Sequence, residues 1–416
     1  MIYVNRELEK TIKPFLERPE ALSVIGPRQA GKTTFIKYIA KNLTEQKKKV
    51  KFITFEKKFD LDLFNNSIED FKNISEQYDC VIIDEFQYAK DGGKNLKYLY
   101  DTTNVKFIIS GSSSLDLTFQ TGKYMVGRLL EFTLLPFSFK EFLSVKDNEL
   151  HNLLVEKNFS NIFDFELSKS FGNEINRRLS EYLEEYVIYG SYPAVVIAKT
   201  KTEKQKILES ICQNYLLKDI QGLLNLATED QLWRLEKFLA TQIGNIIKYE
   251  ELSNVSELPY KELKKHLNIL DKTYICSFIS PFYTNKRTEL TKNPKVYFMD
   301  MGLRNFVLSD FRQLKDRQDY GAVMENYAFT LLQRRYGNNI KYWRTKSKAE
   351  VDFIIEQEQT VYPIEVKYSS KRTIGKSLYS FIEKFNPIAA IVLTRDFIHQ
   401  ERIKETNVKF VPLVYF

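Results

Sequence analysis

Cysteine and histidine are scarce in this chain, with three of each in 416 residues. Cys80, Cys212 and Cys276 are scattered without C-x-x-C spacing, which excludes a disulfide framework and a cysteine zinc site and points to a reducing compartment. Cys80 falls in an apolar run and reads as plain core. His151, His266 and His399 stand far apart, so a histidine metal centre is excluded as well. No apolar run approaches the ~20 residues of a membrane span. The opening Met1-Ile2-Tyr3-Val4-Asn5-Arg6-Glu7 lacks the basic-then-apolar layout of a signal peptide. Together these absences predict a cytoplasmic protein with no membrane partner. What is present is ordinary globular material. Hydrophobic residues make up 43%, charged residues 28% and aromatics 14%, enough to build two or three domains and too much to stay disordered.

The net charge is +8, and it is unevenly spread. Residues 286–416 hold 23 Lys plus Arg against 15 Asp plus Glu, whereas the first 285 residues hold 39 of each. The last third therefore carries the whole excess. That fits a polyanion partner there, or equally a solvated surface rich in lysine.

Residues 21–25, Ala-Leu-Ser-Val-Ile, read as a buried strand, and 33–42 as a helix. Between them runs Gly26-Pro27-Arg28-Gln29-Ala30-Gly31-Lys32-Thr33-Thr34, which fits G-x-x-x-x-G-K-[ST]. Glycines let such a loop curl so that its N–H groups face phosphate oxygens, and the helix adds its positive end. Lys32 can reach the β- and γ-phosphates, and the Thr33 hydroxyl can sit on Mg²⁺. Further strands are expected at 50–55, 80–85, 105–110 and 129–135, alternating with helices. A mostly parallel sheet covered on both faces follows. Its carboxyl edge would collect the phosphate loop, Asp84-Glu85 and Ser110-Gly111-Ser112, and ligands bind at that edge.

Asp84-Glu85 ends an apolar run as a metal-holding and a water-orienting carboxylate would. Ser112 is placed to bond a γ-phosphate or the attacking water, unless its Gly-Ser-Ser-Ser run is a polar turn. Arg128 precedes the fifth strand. It fits a finger toward a neighbour's nucleotide, a residue of its own site, or half of a surface ion pair.

The loop, the acidic pair, the polar sensor and the pre-strand arginine resemble AAA+ ATPases. The stretches Ile82-Ile83-Asp84-Glu85-Phe86-Gln87, Ser110-Gly111-Ser112-Ser113, Gly127-Arg128 and Leu135-Pro136-Phe137-Ser138-Phe139-Lys140-Glu141-Phe142 look closest to the prokaryotic AAA-14 type with a C-terminal DUF4143-type domain. The resemblance implies an ATPase core over 1–140 and a helical lid over 141–228. Its cofactors would be ATP and Mg²⁺, and a homo-oligomer its assembly. As residues alone, 141–228 is helix-packing core, and the charged tract 199–206 reads as exposed, a candidate hinge.

Residues 229–285 show three short helices and then an apolar strand, the order of a winged helix-turn-helix. Lys261, Lys264, Lys265 and His266 fall on the third helix, and the three basic residues could grip DNA phosphates, although such modules also pack against protein. Over 286–416, two strands carry Asp352 and Glu365-x-Lys367, with Glu325 on a helix upstream. Glu365 and Lys367 are two apart and share a face. Carboxylates on neighbouring strands can hold Mg²⁺ beside a lysine that activates water. The set resembles PD-(D/E)xK nucleases, which implies a restriction-endonuclease-like α/β domain with DNA as partner. It stays open whether that domain cuts or keeps the fold only to bind.

Overall fold

A computed structural model describes residues 3–111, 123–157, 163, 170–213, 228–357 and 360–415. Strands β1 (Ala21–Ile25), β2 (Val50–Thr54), β3 (Cys80–Asp84), β4 (Lys106–Gly111) and β5 (Leu129–Thr133) alternate with helices α1 (Leu8–Ile12), α2 (Lys32–Glu45), α3 (Lys58–Asn66), α4 (Ile68–Ser75) and α5 (Gly92–Thr102). The strands form one sheet in the order β2-β3-β4-β1-β5, with every pairing parallel. Because successive side chains leave a strand on opposite faces, the apolar runs feed two cores. Ala21, Ile25, Val81, Ile83, Phe107 and Ile109 enter one. Leu22, Val24, Cys80, Ile82 and Ile108 enter the other, where α2 lays down Phe35, Ile36, Ile39 and Leu43. This is a parallel α/β sheet of the P-loop kind, as the sequence predicts.

The chain divides into two compact units, Met1–Glu141 with Lys272–Tyr274, and Phe142–Asp271 with Ile275–Phe416. The second unit brings helices α6 (Phe139–Lys146, which begins in the first), α7 (Asn148–Lys157), α8 (Asn173–Tyr189), α9 (Pro193–Ile197) and α10 (Lys201–Ile211) together with the rest of the chain. A fully buried polar contact explains the grouping of α8 with later residues: the Asn305 amide donates to the Val187 and Ile188 carbonyls. Nearby, Asp300 accepts from the Ser191 N–H and hydroxyl at 2.8 Å each. The fit is close. A Cβ on Gly302 would lie 2.1 Å from the Tyr189 carbonyl oxygen. The charged tract 199–206 is exposed at 199–203 and 206, as expected, and forms the start of helix α10 with a Thr200/Glu203 capping box. Its Lys204 is buried against Glu185 at 2.5 Å.

Next come α11 (Glu229–Thr241), α12 (Tyr249–Ser256), α13 (Tyr260–Lys272), β6 (Cys276–Ile279), α14 (Lys286–Thr291), β7 (Lys295–Phe298) and α15 (Met301–Val307). Strands β6 and β7 pair antiparallel, so the boundary expected at 285 cuts through a two-stranded sheet. His266 on α13 is wholly buried, with Nδ1 2.8 Å from the Glu262 carbonyl. The remainder is α16 (Tyr320–Tyr336), β8 (Ile340–Arg344), β9 (Glu350–Gln357), β10 (Thr360–Val366), α17 (Lys376–Phe385), β11 (Ala389–Thr394), β12 (His399–Ile403) and β13 (Thr406–Pro412). Its sheet runs β12-β13-β11-β10-β9-β8, antiparallel across β8-β9-β10 and parallel from β10 through β11 to β13. No helix among the described residues is long and apolar enough to cross a membrane.

Candidate functional site

The phosphate loop leaves β1 at Ile25 and enters α2 at Lys32. Its turn depends on glycine at two points. Gly26 has φ +145°, and a Cβ there would come 2.2 Å from the Leu134 carbonyl oxygen; Gly31 has φ +94°. Gln29 takes a left-handed conformation too, at φ +58°. Pro27 and Ala30 are buried, while Arg28, Gln29 and Thr34 face solvent. The Lys32 side chain is 6% exposed and folds back over the loop, donating to the carbonyls of Gly26 (2.9 Å) and Pro27 (2.8 Å). Burial pushes its pKa down to about 8, against the pull of Glu85 and Asp84.

Asp84, at the end of β3, is tied on both oxygens. The Thr33 hydroxyl donates to Oδ2 at 2.7 Å, and the Ser110 hydroxyl from β4 donates to Oδ1. Glu85 stands next to it at φ +55°, with the Gln87 amide donating to its carboxylate. Lys32, Thr33, Asp84 and Glu85 thus meet at one sheet edge. The Thr33 hydroxyl and Asp84 carboxylate are a hard-oxygen pair of the kind Mg²⁺ takes, so the residues present fit that ion. Ser112 lies outside the described residues.

Arg128 does not join this group. Ala21 N–H donates to the Arg128 carbonyl at the amino end of β1, so Arg128 lies about 13 Å of strand away from the phosphate loop, on the opposite edge. Its side chain pairs with Asp101 at 2.9 Å. A role at its own chain's loop is therefore removed from the three readings.

Arg6 was not legible from sequence. Only 6% exposed, it donates to the carbonyls of Ala30 (3.0 Å) and Leu135 (2.5 Å), pairs with Glu141 (3.1 Å) and lies over the Phe137 ring. Glu141 in turn accepts from the Glu7 and Ser138 N–H groups. One buried arginine thereby fastens the back of the phosphate loop to the segment after β5. The signal was the glutamate in Leu-Pro-Phe-Ser-Phe-Lys-Glu-Phe; nothing local marked its partner.

In the second unit, the antiparallel β9–β10 register pairs Phe353 with Ile364, and one step further sets Asp352 across from Glu365. Both carboxylates then share a face. Asp352 Oδ2 accepts from the Val366 N–H at 2.8 Å. Burial, then the charges of Glu325 and Glu365, raise its pKa well above the carboxylate range. Glu365 is 4% exposed; its Oε1 pairs with Lys367 at 2.8 Å, and its Oε2 is buried without any hydrogen-bond partner. Burial lowers the Lys367 pKa, but Glu365 and Asp352 outweigh it and the net shift is upward. An orphaned buried carboxylate oxygen is a position that a cation would satisfy, so Asp352 and Glu365 fit a divalent ion.

Glu325 is brought near but is already engaged. Lys295, on β7 and 1% exposed, pairs with Glu325 at 3.2 Å and Glu350 at 2.6 Å. The Tyr297 hydroxyl donates to Glu325 at 2.6 Å. Glu325, Asp352 and Glu350 hold the Lys295 ammonium charged despite burial that works to lower its pKa. Glu325, expected to complete an acidic set for a metal, is paired here with Lys295 and Tyr297. Among the described residues, no three His, Cys, Asp or Glu side chains are grouped to hold a metal ion.

Residues 18–143 match the AAA domain family AAA_14, residues 180–348 a domain of unknown function, DUF8612, and residues 320–416 another, DUF4143. The chain is 24% identical over 358 residues to an uncharacterized protein of Haemophilus influenzae, covering 83% of this chain and 82% of that one. An uncharacterized protein of Methanocaldococcus jannaschii is 24% identical over 424 residues, covering 97% and 86%. Among solved structures, the Aeropyrum pernix ORC2 protein in its ADP form overlays with a TM-score of 0.36 at 12% identity, covering 75% of this chain and 96% of that one. The chain carries an AAA+ ATPase domain of the AAA_14 type, and a DUF4143 domain at its C-terminal end.

Proposed function

We propose that the chain binds and hydrolyses ATP at the phosphate loop. The carrying observation is the Lys32 ammonium, buried and hydrogen-bonded to the Gly26 and Pro27 carbonyls, beside the Thr33–Asp84 bond. The carbonyl dipoles, with Glu85 and Asp84 acting on the same charge, keep the lysine in the mouth of the loop, ready to exchange the carbonyls for phosphate oxygens. Thr33 and Asp84 would hold Mg²⁺, which spreads charge over the β- and γ-phosphates when bound. Glu85 would orient the attacking water and accept its proton, while Lys32 stabilises charge on the transferred group. Arg128, paired with Asp101 on the far edge of its own sheet, would have to release that carboxylate to act on a neighbouring chain's nucleotide within a homo-oligomer. Calorimetric titration of ATP with millimolar Mg²⁺ tests the reading. Heat of binding that is lost in Lys32→Ala supports it, and no heat with folded wild type ends it.

A second function is favoured by the orphaned Glu365 oxygen. Asp352 and Glu365 would hold one divalent ion, with Lys367 beside the scissile phosphodiester of DNA. The α16-β8-β9-β10-α17-β11 order supports a nuclease-like fold, and three helices followed by the β6–β7 pair support a winged helix. The positive excess of residues 286–416 supports a polyanionic ligand. Plasmid incubated with Mn²⁺ and ATP decides between cutting and binding. Nicking that Asp352→Asn abolishes marks a nuclease; salt-sensitive binding without nicking marks an ATP-driven switch that grips DNA.

A further inference from the structure

We infer that Lys295 is a built-in cation of the acidic cluster: its ammonium fills the position between Glu325 and Glu350 and leaves a single divalent site, at Asp352 and Glu365. The inference rests on the reading of Asp352 and Glu365 as cation ligands. Four carboxylates face this part of the unit, from α16 (Glu325), β9 (Glu350, Asp352) and β10 (Glu365). Taken from water together they would repel one another strongly, and buried anions persist only when paired. Two of them are paired by one ammonium, at 3.2 and 2.6 Å, from a strand that belongs to neither the helix nor the sheet carrying them. Tyr297, two residues on along β7, holds Glu325 from the same side. The carboxylate oxygen left without a partner is at the other end of the cluster, on Glu365.

The division of labour follows. Glu325 and Glu350 pair with the lysine, Glu350 turning its second oxygen to Arg344 at 3.0 Å, and Asp352 and Glu365 take the ion. Lys295 is a positioning residue: it touches neither ion nor substrate, and fixes how many cations the cluster accepts. A site so built meets a phosphodiester with one exchangeable divalent charge and one permanent charge behind it.

The test counts Mn²⁺ bound by the full-length chain without nucleotide, from the electron paramagnetic resonance of the free ion. Wild type is expected to bind one per chain. Asp352→Asn and Glu365→Gln should bind none, Glu325→Gln should still bind one, and Lys295→Met should bind a second. If Glu325→Gln loses the ion as Asp352→Asn does, Glu325 is a metal ligand and the inference falls while the metal reading stands. If neither Asp352→Asn nor Glu365→Gln weakens binding, the metal reading itself falls. A folded Lys295→Met chain with no added ion also overturns the inference. Should that variant not fold, the ion count of Glu325→Gln still decides the matter.

Discussion

Two lysines, each more than nine-tenths buried, sit at the two candidate sites and differ in their company. Lys32 faces carbonyl oxygens, and burial lowers its pKa to about 8. Lys295 faces carboxylates, and its pKa is raised. Dipoles can hold an ammonium in place, but they do not cancel its charge; a carboxylate does both. The first lysine is therefore a socket for an arriving anion and the second a fixture of the fold. Burial of a charge says little until the charges around it are counted.

Removing each lysine should separate these roles. Lys32→Ala takes away an interaction made with the phosphates, so ATP hydrolysis should fall by about 10³-fold, with a thermal midpoint near that of wild type. A steady-state phosphate-release assay beside a melting curve reads both. Lys295→Met removes an ammonium that pairs with two part-buried carboxylates, of which Glu350 keeps Arg344 and Glu325 keeps the Tyr297 hydroxyl, so the cost should be about 2–3 kcal/mol, while hydrolysis by folded protein is kept. Denaturant melts measure the loss. A Lys295→Met chain as stable as wild type would erase the contrast.

The two sites also differ in how far they can be read from sequence. The phosphate loop and Asp84-Glu85 are short contiguous signals, each at the end of an apolar run, so both the strands and the edge they share are legible. Period-two spacing likewise sets Glu365 and Lys367 on one face before any geometry is known. Lys295 is not legible, because a lysine beside Val-Tyr-Phe in a four-residue strand looks like a strand end in water. Its partners lie 30 and 55 residues away, and only the fold brings them together. Arg6 and Lys204 escape a sequence reading for the same reason: local pattern treats charge as exposed, and tertiary pairing overrides it. Ser112, a sensor by its position in sequence, falls outside the described residues.

Arg6 lets the comparison be sharpened within the first unit, since it is a buried cation that uses carbonyls and a carboxylate together. Arg6→Met should cost about 2–3 kcal/mol through the lost Glu141 pair and the two orphaned carbonyls. It should also weaken ATP binding, because Ala30 is a loop residue. Isothermal titration of the folded variant checks this; unchanged affinity would make Arg6 a stability element alone.

The last effect comes from a buried group with no counter-charge at all. Glu236 on α11 is wholly buried, neither carboxylate oxygen has a hydrogen-bond partner, and burial raises its pKa from 4.5 to about 8. Between those values the folded chain keeps a proton that the unfolded chain gives up. The stabilisation is therefore full below pH 4.5 and is lost as pH rises through 8, at about 1.4 kcal/mol per pH unit in between. Melting temperature should fall from pH 5 to pH 8, and Glu236→Gln, which carries no proton to lose, should flatten that slope. An identical slope in the variant would mean that Glu236 is ionised and paired in the fold, as Lys295 is, and would move it to the other side of the comparison.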